Sequence, residues 1–249
     1  MKSRFYTNAG LHRFLFTLES SPTDFVTVYV APSSFPDYIE TMKPGKKYSA
    51  QVSDIIEAAE NEAVLISARK YGTGASIFWS SVDKHIVLPA FPITTNQTSE
   101  GKLDLSLIHK AMDRKHLVGV VMVTWGWYAL GIFDGSNLLE CKIGTGYIHR
   151  EHKKGGRSQK RFARRTEEQK KDFLRRVGNR IEERFGCYLP DHIFFGGNRL
   201  ILKPLIQESR YLQTRTDKIS PRILDVRHAD RKALVGSLAE INKSLVFTF

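Results

Sequence analysis

The stretch "LVGVVMVTWGWYALGIFDGSNLLECKIG", residues 117–144, constrains the fold of this chain most. It is apolar and dense in Val, Trp, Tyr and Phe, and Gly126 and Asp134-Gly135 punctuate it. Those turns divide it into three successive strands, most simply an antiparallel meander. From about 160 to 185 the period changes, with Phe173, Val177, Ile181 and Phe185 recurring every four residues and Gly186 as a C-terminal stop. Only the C-terminal half of this helix has an apolar stripe. Its first three turns are polar and basic, so they are expected to project beyond the body of the domain. "HIFFGG" and "RILDVRH" read as two further buried strands, and 229–243 as a final helix.

Upstream, residues 5–19 place Phe5, Leu11, Phe14, Leu15 and Leu18 on one side of a helix that "SSPTD" ends. "FVTVYVA", 25–31, reads as a strand, and Val52, Ile55, Ile56 and Ala59 mark a helix over 48–60. "AVLISA" has strand character, and 75–93 looks like a hairpin. The polar, turn-rich "TTNQTSEGK", 94–102, is the expected linker, followed by a short helix with Leu105, Ile108, Ala111 and Met112. The predicted fold class is α/β, with an N-terminal α/β domain over 1–95 and a second domain over 103–249. The 249 residues suffice for two such cores.

At 41% hydrophobic and 26% charged, the chain is of ordinary globular composition, which excludes disordered and fibrous classes. It has no run of about 18 apolar residues, so no membrane span is expected. The apolar part of the N-terminus is broken by His12 and Arg13, which reads as the first helix of a cytoplasmic protein rather than a leader. Cys141 and Cys187 have no C-x-x-C spacing and are expected to be two small buried side chains.

The net charge of +12 is unevenly placed. Residues 150–165 hold eight Lys and Arg against Glu151, a net +7, more than half the excess in sixteen residues. Charge so concentrated is an electrostatic footprint for a polyanion, nucleic acid first. Within it lies "HKKGGRSQKRFARR", 152–165. Gly155 and Gly156 allow close approach of the backbone to a ligand, and the flanking cations would seat that tip among phosphates. A solvated loop ahead of a helix is the plainer reading of the same residues.

This segment resembles the catalytic loop and following helix of the central domain of eukaryotic and archaeal class I translation release factors. There a Gly-Gly-Gln tip precedes a Ser and, four residues after the Gln, an Arg-Phe-Ala-Arg segment. Gly155, Gly156, Ser158 and Arg161-Phe162-Ala163-Arg164 occupy those positions here, and the resemblance extends over 117–249. Arg157 stands where those factors have Gln, and Gln159 lies two residues later. The resulting Gly-x-x-Gln pattern, Gly156 to Gln159 in a loop at 153–160, is similar to that of the release factor-like peptidyl-tRNA hydrolases of ribosome quality control.

The resemblance implies a release factor catalytic-domain-like (RNase H-like) mixed sheet with flanking helices, and release of nascent chains from peptidyl-tRNA on stalled large ribosomal subunits. It implies Gln159, Gly155, Gly156 and Ser158 as the catalytic group, and Lys153, Lys154, Arg157, Lys160, Arg161, Arg164 and Arg165 as contacts to tRNA and ribosomal RNA. No cofactor, metal or membrane is expected, and the chain is expected to be a monomer. A carboxamide or its backbone N–H can orient water or stabilise an oxyanion on an ester that is already activated.

Two alternatives stay open: cleavage of the tRNA 3′ end, for which His149 and His152 are candidate bases or a metal pair, and docking without catalysis. "GTG" at 72–74 and 144–146 reads as turns, and Trp125, Trp127 and Tyr128 as core rather than base-stacking groups. "DVRHAD", 225–230, is either a polar strand end or part of a metal-dependent nuclease site.

Overall fold

A computed structural model describes residues 1–21, 23–42, 46–148 and 157–249, with the backbone alone at 46 and 157–160. The chain forms two units, Met1–Arg114 with Ala239–Phe249, and Lys115–Leu238. In chain order the first contains β1 (Lys2–Tyr6), α1 (Asn8–Glu19), β2 (Phe25–Val30), α2 (Asp37–Glu40), α3 (Ser49–Ala59), α4 (Glu62–Tyr71), β3 (Ala75–Trp79), β4 (Lys84–Leu88), β5 (Gln97–Gly101) and α5 (Ser106–Asp113). The second contains β6 (Leu117–Thr124), β7 (Trp127–Asp134), β8 (Asn137–Thr145), α6 (Arg157–Phe185), β9 (His192–Gly197), α7 (Arg199–Glu208), α8 (Arg210–Gln213) and β10 (Ile219–Leu224). Helix α9 (Arg231–Ile241) crosses the boundary, and β11 (Ser244–Thr248) returns to the first unit.

The first sheet runs β1-β11-β4-β3-β2-β5, and every neighbouring pair is antiparallel. It is covered on both faces. Val26, Val28 and Val30 of β2 pack with Val52, Ile55 and Val64 of α3 and α4, while Phe25 and Tyr29 pack with Leu11, Leu15 and Ile108 of α1 and α5. A strand buried on both sides has no polar face, which is why "FVTVYV" is apolar apart from Thr27, whose hydroxyl accepts from the Asp104 N–H at 3.3 Å.

Several expectations are corrected here. "AVLISA" lies in α4, whose start is fixed by Asn61 Oδ1 accepting from the Ala63 N–H at 3.1 Å and whose end is Gly72 at φ 64°. A short apolar run fits either helix or strand, and the caps decide it. The supposed linker 94–102 contains β5, an edge strand held to β2 by backbone pairing rather than by an apolar pattern. Phe5 belongs to β1, because Thr7 caps α1 by accepting from the Gly10 N–H. The second unit starts at Lys115 rather than 103, and the chain after α9 ends in a strand paired with β4 and β1.

The second sheet runs β10-β9-β6-β7-β8. The meander β6–β8 is antiparallel as predicted, and β9 lies parallel to both β6 and β10, which makes the sheet mixed. Phe173, Val177, Ile181 and Phe185 of α6 pack with Val121, Val123, Leu130 and Ile132, joined by Ile201 and Leu205 of α7. The chain is therefore a mixed α/β protein, with one sheet and its helices in each unit.

Candidate nucleic-acid interface

Helix α6 has 29 residues, about 43 Å at 1.5 Å per residue. It begins at Arg157, so residues 157–160, expected within a loop, form its first turn. Arg, Gln, Lys and Ala are good helix formers, and they let the helix reach back to the glycine pair. Gln159 thus sits on a regular element, and the first four backbone N–H groups of that element have no intrahelical acceptor. Lys153, Lys154, Gly155 and Gly156, with His149 and His152, lie outside the described residues, and so do the side chains of Arg157, Ser158, Gln159 and Lys160.

From Arg161 to Arg165 every side chain is exposed, and Thr166 is the first buried one among the described side chains of the helix. The expected projection of the first three turns holds only for 161–165, because Thr166 is buried and Gln169 and Lys170 are half-buried. Arg164 Nε donates to Glu168 at 3.0 Å, but both side chains are well exposed, and such a pair contributes little. Arg161 and Arg165, one turn apart, have no acidic partner among the described residues. Further along, Lys170 pairs with Glu167 at 2.7 Å, Arg175 with Asp172 at 3.0 Å, Arg180 with Glu183 at 2.6 Å and Arg184 with Glu140 at 3.2 Å. Beyond Arg165 most of the described cations of α6 are paired with a carboxylate, and Arg176 is the exception. No acidic residue occupies the first turn, although the positive end of a helix dipole disfavours cations by up to about 1 kcal/mol each. A bound polyanion relieves both repulsions.

Next to this helix the sheet ends in exposed aromatic rings. Trp125 and Trp127 are 37% and 55% exposed, which corrects their assignment to the core, whereas Tyr128 is buried as expected. Trp125 and Gly126, at φ +88°, form the two-residue hairpin turn, and Trp127 opens β7, so both rings sit at the end of the strands. The Gly146 N–H donates to the Gly126 carbonyl at 2.8 Å, tying the end of β8 to the turn, and exposed Tyr147 follows. The Lys170 ammonium lies 5.3 Å from the Trp125 ring centroid. A Trp-Gly-Trp sequence at a hairpin tip was the signal for this exposure, since a tip has no strand beyond it to cover the rings.

The other candidates resolve differently. Gly72 and Gly74 do form a turn, at φ 64° and 74°. Gly144 and Gly146 do not: the first lies at the end of β8 and both are sites of close packing, as described below. Asp230 of "DVRHAD" accepts from the Ala233 N–H at 2.7 Å and caps α9. Cys141 is half-buried, and Cys187 is exposed rather than buried. Among the described residues no three His, Cys, Asp or Glu side chains converge to hold a metal ion, and no helix is long and apolar enough to cross a membrane.

The family model described as the Actinobacteria/Chloroflexi VLRF1 release factor matches residues 116–246. Peptide chain release factor subunit 1 of Aeropyrum pernix is 25% identical over 140 residues, covering 53% of this chain and 36% of the relative. The protein of the same name from Thermoplasma acidophilum is 23% identical over 163 residues, covering 64% of this chain and 39% of the relative. This chain thus spans well under half the length of either. Among solved structures, the archaeal translation termination factor aRF1 aligns over 95% of this chain and 73% of its own, at 14% identity and TM-score 0.40. Archaeoglobus fulgidus Pelota aligns over 91% and 58%, at 9% identity and TM-score 0.34.

Proposed function

This chain belongs to the Actinobacteria/Chloroflexi VLRF1 release factor family, and from that membership we propose that it frees nascent chains from peptidyl-tRNA on stalled large ribosomal subunits. The observation that carries the reading is the start of α6, where a Gly-Gly pair in the sequence runs into a helix whose first described side chains, Arg161 to Arg165, are exposed and largely unneutralised.

In this reading Gly155 and Gly156 give the segment its reach, Lys153, Lys154, Arg157, Lys160, Arg161, Arg164 and Arg165 contact tRNA and ribosomal RNA phosphates, and Trp125 and Trp127 stack unpaired bases. Gln159 directs ester hydrolysis, with Ser158 in the same turn. Water attacks the ester carbonyl, the bond to the tRNA ribose oxygen breaks, one water proton passes to that oxygen and the other to solvent, and the products are a peptide carboxylate and a free 3′-terminal hydroxyl. The Gln159 carboxamide orients the water, and N–H groups in the first turn of α6 stabilise the oxyanion. Neither group titrates, so the ester supplies its own reactivity and the site supplies position.

Large subunits carrying peptidyl-tRNA, incubated with the protein, test this directly. Release with an intact CCA end is expected, and a shortened tRNA end would assign the chemistry to RNA cleavage instead. Gln159→Ala is expected to retain subunit binding and lose release by about 10²–10³-fold, the scale of one removed oxyanion or orienting group. Unchanged release by that variant would remove Gln159 from the catalytic role.

A further inference from the structure

The "GTG" at 144–146 builds a cleft. A Cβ at Gly144 would stand 2.3 Å from the Tyr128 ring, and one at Gly146 would stand 2.4 Å from Phe173 and 3.0 Å from Arg176 Nη2. The absence of both side chains lets Tyr128 lie over the strand and α6 approach its end. What remains between β8 and α6 is an open cleft of about 290 Å³ lined by Tyr128, Thr145, Phe173, Arg176, Asn179 and Arg180. Phe173 and Tyr128 are buried ring walls, while Thr145, Arg176 and Asn179 are exposed polar groups.

The charges in the cleft do not balance. Arg176 and Arg180 are one turn apart on α6, a spacing at which like charges repel. Glu183, also lining the cleft, accepts from Arg180 at 2.6 Å and holds its guanidinium pKa above the usual value. Arg176 has no acidic partner among the described residues, which leaves the cleft with one net positive charge. A single phosphodiester carries the complementary charge, and its non-bridging oxygens match the planar donors of Arg176 and the donors of Asn179 and Thr145.

We propose that the cleft formed by the Gly144-Thr145-Gly146 strand end, Arg176, Asn179 and Arg180 binds one backbone phosphodiester of single-stranded RNA. The proposal rests on the reading of the second unit as an RNA-binding, release factor-like domain. It places a phosphate contact on the core-packed part of α6, apart from the exposed arginines at its start, so that the RNA is held at two points along the helix.

The test is equilibrium binding of a single-stranded RNA hexamer to the full chain across a salt series, for the wild type, Arg176→Gln and Lys203→Gln, with thermal melts to verify folding. Arg176 is exposed, so its substitution is expected to leave the melt unchanged. Arg176→Gln should weaken binding about tenfold, the scale of a lost charged hydrogen bond. It should also reduce the log–log salt slope by about 0.7, one phosphate contact on a single strand. Lys203→Gln, on α7, should change neither. An Arg176→Gln slope equal to that of the wild type, with hexamer binding otherwise intact, overturns the cleft assignment alone. No hexamer binding by the wild type overturns the RNA-binding reading beneath it. Inorganic phosphate and adenosine 5′-monophosphate, titrated while the Arg176 Nε signal is followed by NMR, should bind far more weakly than the hexamer. Equal affinity for inorganic phosphate would assign the cleft to a free anion instead.

Discussion

The two units of this chain are of similar construction, but one is electrically neutral and the other strongly basic. The first, 1–114 with 239–249, carries thirteen basic and thirteen acidic residues and is neutral, so the whole +12 lies in 115–238. Both bury a sheet under helices, so folding does not require the difference. The first unit spreads its charges as a solvated surface. The second gathers unneutralised arginines at the start of α6 and in the cleft beneath β8, beside exposed tryptophans. Excess charge that packing does not need points to a partner.

Charge reversal is the largest lever on this contrast. Arg161→Glu with Arg165→Glu is expected to weaken ribosome or RNA affinity by about 100-fold at low salt and to flatten its salt dependence, since two phosphate contacts are lost. Arg13→Glu with Lys102→Glu, the same change on the exposed surface of the first unit, should leave affinity within about twofold, as exposed charges that make no phosphate contact are largely screened. Comparable losses from both pairs would mean that RNA binding follows net charge rather than this surface. A smaller effect is expected of Trp127→Ala, about tenfold in binding to unpaired RNA with little change in the salt slope, because stacking contributes about 1–3 kcal/mol per base and releases no counterions. If the salt slope falls and affinity does not, the ring is not a stacking group.

The smallest effect concerns the neutral unit. Burial pushes the His85 imidazole pKa below its ordinary value, against the opposing pull of Asp83. Its Nδ1 lies 3.0 Å from Thr248 Oγ1 and its ring meets Phe14 edge-on. The unfolded chain, with a histidine near pH 6.5, then binds this proton more readily than the folded one. The His85 contribution is therefore present above that pH and lost as pH falls below it. Hydrogen exchange in β4 and β11 should show lower protection at about pH 5.5 than at about pH 7.5, and His85→Gln should shrink that difference. A difference of the same size in the variant would assign the pH response to other groups.

The meander and the apolar half of α6 were legible because period and turn residues agreed there. "AVLISA" was not, since a six-residue stretch with five apolar residues fits either secondary structure until Asn61 and Gly72 cap the helix. Strand β5 escaped notice because an edge strand can be held by backbone hydrogen bonds with a polar sequence. The return of β11 to the first sheet is a long-range pairing that no local window contains. In the candidate site, the basic segment and the position of Gln159 belong to the sequence itself, whereas the exposure of Trp125 and Trp127 and the cleft at "GTG" do not.

By itself the sequence determined the charge concentration, the Gly-x-x-Gln spacing and the family resemblance, all of which reside in the order of residues. Tertiary structure alone decided which arginines are left without carboxylates, which aromatic rings stay uncovered and what Gly144 and Gly146 make room for. Neutralisation, exposure and cleft shape depend on distances between residues far apart in the chain, and only packing sets those distances.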